Sequence, residues 1–210
     1  MLTFDTNEAI AHLCAGDRKL AGLIARIGDF ELRRRSFHTP FHALFSAIIS
    51  QQLSGTAAQS IYRRTRALLP GGRVTAPAVL AAAPDRLREA GLSRAKVAAV
   101  HDLAARYRDR GLPDARQMRS LSDEEIIEAL TQVRGVGRWT VEMLLIFHLG
   151  RPDVLPVGDL GVRKGFQLTY GRPELPTPDE LVEHGRRWRP YRSVASWYMW
   201  RAADPQAPRV

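Results

Sequence analysis

Two glycines one residue apart, in Arg134-Gly135-Val136-Gly137, interrupt what would otherwise be one amphipathic helix from Ser122 to Gly150. Before the break, Ser122 followed by Glu125 has capping-box spacing, and Ile126, Ile127 and Leu130 share one helical face. After it the same period resumes through Trp139, Met143, Leu144 and Phe147, with Gly150 as the stop. A pair of glycines disfavours helix and favours a turn, so the spacing predicts helix, tight hairpin, helix. The loop Leu155-Pro156-Val157-Gly158-Asp159 then delivers one carboxylate to the start of a third helix. Backbone N–H groups of such a hairpin, with a helix start behind them, form a concave site suited to phosphate. Small side chains there let a nucleic-acid backbone come close, and a backbone contact positions without reading sequence. Alone, Gly-Val-Gly is equally an ordinary turn between helices.

The whole stretch is more specific. Residues 130–145, LTQVRGVGRWTVEMLL, followed by residues 155–166, LPVGDLGVRKGF, resemble the helix-hairpin-helix (HhH-GPD) DNA glycosylases. Within that superfamily they are most similar to the 3-methyladenine DNA glycosylase II group, whose hairpin reads G-[IV]-G-R-W-T. In that group the catalytic aspartate lies 20 residues after the tryptophan, the spacing of Trp139 and Asp159. The resemblance extends over residues 37–203, nearly every predicted element.

Composition is compatible with it. At 210 residues and 45% hydrophobic content the chain can bury a real core. No apolar run reaches the roughly 18 residues that a membrane span needs. The N-terminus has neither a basic segment nor an apolar one of the secretory kind. Cys14 stands alone, which excludes an internal disulfide and a four-cysteine iron–sulfur or zinc site, and fits a reducing, cytoplasmic location. A net charge of +9 favours a polyanionic partner. Only Lys19, Lys96 and Lys164 are lysines among the 31 cationic residues, so arginine-rich genomic composition accounts for the same charge.

In chain order, residues 1–36 read as two short helices, with Asp17 capping and Gly28 stopping. The Arg33–Arg35 cluster reads as solvated. Thr39 and Pro40 open a helix whose Phe41, Leu44, Phe45, Ile48 and Ile49 face inward; it ends at Gln51-Gln52-Leu53-Ser54-Gly55. Ser54 can cap the next helix, whose other face carries Arg63, Arg64 and Arg66. Short helices follow at Pro77 and Pro84, then a longer one from Ser93, in which Lys96 and His101 read as structural. His38 and His42 are four apart, but Thr39-Pro40 put His38 outside the helix, so no transition-metal site is expected. Thr177, Pro178 and Glu180 start another helix. WRPYRSVASWYMW closes the domain with more aromatics than one face can expose, so Trp188, Tyr191, Trp197 and Tyr198 are mostly core. No alternating β pattern occurs, and the expected class is all-α.

The resemblance implies a single compact domain over residues 1–210 in two helical lobes, with an active-site cleft between them. The hairpin lobe would span about 37–170, the other would combine N-terminal and C-terminal helices, and the N-terminal β domain of larger relatives would be missing. Asp159 would be the catalytic carboxylate, and Trp139, Met143 and Trp200 the base pocket. Gln51, Gln52 and Leu53 would fill the gap left by an extruded base, since a wedge must occupy the vacated stack. Arg134, Gly135, Val136, Gly137, Arg138 and Thr140 would hold the DNA backbone. Main-chain carbonyls of Thr131, Val133 and Val136 would bind a monovalent Na+ or K+, and no other cofactor is expected. Asp153 is the nearest rival carboxylate, in a loop off the family position. Bifunctional relatives carry a Schiff-base lysine where Trp139 stands, and an indole cannot serve. The expected activity is thus monofunctional hydrolysis of alkylated bases of the 3-methyladenine and 7-methylguanine type from double-stranded DNA, by a monomer. The alternatives are a non-catalytic hairpin module that clamps DNA, or a glycosylase for another damaged base.

Overall fold

The computed structural model describes residues 4–32, 37 and 39–204; Arg33–Arg35 and His38 lie outside the described residues. Two helices lead, α1 (Thr6–Gly16) and α2 (Arg18–Ile27), followed by α3 (Pro40–Ser50), α4 (Gly55–Ala67), α5 (Ala76–Ala81) and α6 (Pro84–Glu89). Then come α7 (Arg94–Arg108), α8 (Gln117–Ser120), α9 (Asp123–Leu130) and α10 (Arg138–Leu144), with a π-helical turn at Leu145–Leu149. The last three are α11 (Leu160–Tyr170), α12 (Pro178–Gly185) and α13 (Arg192–Ala203). No strand occurs among the described residues, so the all-α class holds. None of these helices is long and apolar enough to cross a membrane.

The chain divides into two compact units, Met1–Arg35 with Leu145–Val210, and Ser36–Leu144. The hairpin lobe therefore stops at Leu144 and not near residue 170. The reason is packing: α11 lies along α13 and also meets α2, so it belongs with the terminal helices.

In the first unit the core gathers Leu13, Leu20, Leu23, Val162, Phe166, Leu181, Trp188 and Tyr198. The expected aromatic core is real: Trp188, Tyr191, Trp197 and Tyr198 are all buried. Inside it sits one carboxylate, Asp17, only 5% exposed. Its Oδ1 caps α2 by accepting from the amides of Lys19 and Leu20, each at 3.1 Å. Its Oδ2 accepts from the indole N–H of Trp188 at 3.0 Å and from the Tyr170 hydroxyl, and faces Nε2 of His184 at 2.9 Å. Burial pushes the carboxyl up, but the bonds to His184, Tyr170, the Leu20 amide and Trp188 outweigh it and hold the group well below the usual carboxylate range.

In the second unit α3 is the central element. It packs against α4, α7 and α10, and Leu44, Phe45, Ile48 and Ile49 are fully buried on it. Thr39 caps it by accepting from His42 N at 3.2 Å, and Pro40 opens it. α9 starts with the expected capping box between Ser122 and Glu125. On α4 the expected basic face is partly committed, because Arg64 Nε donates to Ala90 O at 3.0 Å and Arg66 Nε to Gly72 O at 2.7 Å.

The buried carboxylate gives a test of the first unit. A depressed folded-state value means that Asp17 stabilises the fold fully above its ordinary value of 3.8, and that this contribution shrinks as pH falls below 3.8 and is gone only once pH falls through the still lower folded-state value. Asp17→Asn should cost about 2–4 kcal/mol at pH 7 by urea denaturation, and the gap to wild type should narrow below about pH 4. A gap that stayed constant with pH would show that the charge contributes nothing.

Candidate active site and nucleic-acid interface

In the first unit, Asp159 starts α11 by accepting from the amide of Val162 at 2.9 Å, through Oδ1. The same oxygen accepts from the indole N–H of Trp200 at 2.8 Å. Two donors from different helices thus fix the carboxylate, and capping and placement coincide. Two glycines of α11 let Trp200 arrive there. A Cβ on Gly165 would lie 1.9 Å from the backbone oxygen of Met199, and one on Gly161 would lie 2.8 Å from Cδ1 of Trp200. Phe147, carried by the π-helical turn, stacks on Trp200 with ring centroids 5.5 Å apart and planes at 28°. π-Helical turns are rare and concentrate at functional sites, where they re-aim a side chain.

The rival carboxylate is held by other partners. Asp153 accepts from Arg192 in a two-pronged pair, Nε at 2.6 Å and Nη2 at 3.0 Å, which ties the loop to α13.

In the second unit the hairpin joins α9 to α10 through residues 131–137. Gly135 has φ +74°, a left-handed conformation in which a side chain is strained, whereas Gly137 is not left-handed and an added Cβ there meets nothing within 4 Å. The first glycine makes the turn; the second keeps a surface bare. Trp139 is 49% exposed on α10, and Met143 stands one turn on, along the same face and half-buried. Val133 and Val136 point inward. The carbonyl of Val133 accepts from the Val136 amide at 3.0 Å, which closes the turn.

Three expected site residues have side-chain partners within the unit. Thr140 is 6% exposed, with its hydroxyl 3.5 Å from Gln51 Nε2. Arg138 is forked between Glu124 and Glu142, with Nη1 to Glu124 Oε2 at 2.9 Å and Nε to Glu142 Oε1 at 3.1 Å, so its charge is already compensated. Gln51 donates from Nε2 to Gly135 O at 3.0 Å, which turns its amide toward the hairpin. Arg134 remains exposed, and its backbone amide donates to Asp102 Oδ2 at 2.8 Å. Gln52 and Leu53 are exposed, and Gln52 has φ +57°, uncommon for a residue with a Cβ.

Phe147, Gly161, Asp102 and Lys96 were not singled out as site residues by the sequence. Phe147 reads there as one more apolar face position. Gly161 and Gly165 are spaced by four, which is the signal for a close helix approach. Lys96 Nζ donates to Ile49 O at 2.6 Å and Gln51 O at 2.8 Å, and burial pushes its ammonium down from the usual lysine value.

Comparison with known proteins shows the family. Residues 45–190 match the profile of the HhH-GPD superfamily base excision DNA repair proteins. DNA-3-methyladenine glycosylase 1 of Schizosaccharomyces pombe is 33% identical over 198 residues, covering 93% of this chain and 87% of that protein. The solved structure of the S. pombe 3-methyladenine DNA glycosylase in complex with abasic DNA superposes with a TM-score of 0.82 at 34% identity, over 92% of this chain and 95% of that one. A DNA-3-methyladenine glycosidase from Bacillus halodurans gives a TM-score of 0.86 at 34% identity, over 93% and 89% of the two chains. With 146 of its 210 residues matched by that profile, the chain belongs to the HhH-GPD superfamily of base excision DNA repair proteins.

Proposed function

We propose that this protein is a monofunctional DNA glycosylase that hydrolyses the N-glycosidic bond of alkylated bases of the 3-methyladenine and 7-methylguanine type in double-stranded DNA. The observation that carries the reading is Asp159, a carboxylate fixed by the Val162 amide and the Trp200 indole. Cleaving the bond builds oxocarbenium character on the sugar, and a fixed carboxylate stabilises that charge or orients the attacking water. One acid suffices when the leaving base is already cationic. Such a base also stacks well on an electron-rich indole, the role assigned to Trp139, with Met143 beside it and Trp200 at the carboxylate. Gln52 and Leu53 are the wedge. No Schiff-base lysine occupies position 139, and Lys96 is committed to two carbonyls, which argues against strand nicking. A Na+ or K+ on the carbonyls of Thr131, Val133 and Val136 would complete the hairpin. A non-catalytic clamp would need the hairpin alone and gives no reason for Asp159 and its two donors.

The reaction is tested with Asp159→Asn. An amide oxygen still accepts from Val162 and Trp200, so the local structure survives while the charge is lost. Base release from methylated duplex DNA, with the products separated and identified, should fall by about a hundredfold or more. Binding to abasic-site duplex should stay within a few-fold. Near wild-type release by the variant would remove Asp159 from the chemistry.

The hairpin is tested by treating its glycines separately. Gly137→Val should leave the melting temperature unchanged and weaken binding to all duplexes alike, by about tenfold, because phosphate contacts carry no sequence information. Gly135→Val should instead destabilise the fold by about 1–2 kcal/mol, the cost of the left-handed conformation to a residue with a Cβ. A loss at Gly137 confined to particular sequences would argue against a backbone clamp.

A further inference from the structure

We infer that Gln51 and Lys96 are positioning residues that lock the Gln52–Leu53 loop to the glycine hairpin, so that gap filling and backbone grip act as one rigid element. This rests on the glycosylase reading above. The last carbonyls of a helix have no helical donors, and Lys96 Nζ takes those of Ile49 and Gln51 at the end of α3, at 2.6 and 2.8 Å. The side chain of Gln51 then reaches the hairpin and donates to Gly135 O at 3.0 Å. On the other side of that peptide pair, the amide of Arg134 donates to Asp102 Oδ2 at 2.8 Å, and Arg106 Nε holds both oxygens of Asp102 at 3.1 and 3.0 Å. Lys96 and Asp102 both stand on α7. A single helix therefore grips a carbonyl pair of the loop and an amide of the hairpin, and Gln51 closes the ring.

Immediately after the anchored Gln51, the exposed Gln52 is held left-handed, and Leu53 is 37% exposed. Strained backbone persists only where its surroundings over-determine it, and here the bonds to Lys96 and Gly135 do so. A loop ordered before binding costs less to place in a base stack than one that must be ordered on arrival. The amide of Gln51 is thus used to aim its neighbours and not to read the orphaned base.

The test uses the full chain with Gln51→Ala, Lys96→Met and the conservative Lys96→Arg. In hydrogen exchange of the free protein, Gln51→Ala should speed the amides of Leu53 and Val136 together, by about fivefold or more. On duplex DNA carrying 7-methylguanine, Gln51→Ala and Lys96→Met should each lower kcat/KM by about fivefold, equally for every opposing base, with Lys96→Arg recovering most of the loss. Adding Leu53→Ala to Gln51→Ala should cost little more, because the two act as a unit. Additive losses, or a Gln51→Ala loss that depends on the opposing base, would overturn the inference. Exchange needs no catalysis, so unchanged exchange sinks the brace even if wild type releases no base. Coupled exchange without base release would sink the glycosylase reading alone. If Lys96→Met does not fold, the Gln51→Ala measurements decide.

Discussion

Two helices can cross closely only where side chains are missing, and in the first unit the crossing of α11 and α13 depends on Gly165. The backbone oxygen of Met199 passes where its Cβ would be. That contact sets how far along α13 each aromatic falls. Tyr198 drops into the core and Trp200, two residues on, reaches the cap of α11 with its indole N–H. The N–H finds a carboxylate, so a polar group brought among Phe147, Gly161 and the helix start is satisfied and not stranded. The close packing is therefore prior to the chemistry: the carboxylate is aimed because a backbone could come near.

The second unit solves a related problem with polar bonds. A hairpin and a helix junction are the least self-supporting parts of a helical fold, since their backbone groups lack helical partners. Here α7 supplies those partners through Lys96 and Asp102, and the loop supplies one of its own through Gln51. The cost falls on surface charge. Arg138 and Arg106 are both paired with carboxylates, so less of the basic character visible in the composition is left for a polyanion at this surface.

Much of this was legible in the sequence because the signals are local. Asp17, Thr39, Ser93, Ser122, Asp159 and Thr177 all cap the helices that their spacing marks. A cap is decided within four residues, so one stretch of chain suffices to read it. What could not be read depends on partners far away in sequence. Nothing near Gln51 says that its amide meets Gly135, 84 residues on, and nothing near Trp200 says that it meets Asp159, 41 residues back. Thr140 and Arg138 have side-chain surroundings that motif position does not give: the first is buried, and the second, still half exposed, pairs with Glu124 and Glu142. The lobe boundary failed for the same reason, because the hairpin and Asp159 are adjacent in sequence while α11 packs with the C-terminal helix.

The distribution of indoles also gives the protein an optical character. Of its four tryptophans, Trp188 and Trp197 are buried in the core of the first unit, and Trp200 is bonded to a carboxylate and stacked on a ring. Trp139 alone of the four is about half in water, at 49% exposure. Its emission therefore lies to the red of the buried pair. A flat cationic ring laid on that indole would alter this component of the intrinsic fluorescence, while the emission of the buried Trp188 and Trp197 would stay as it was, so such stacking would be visible without any dye.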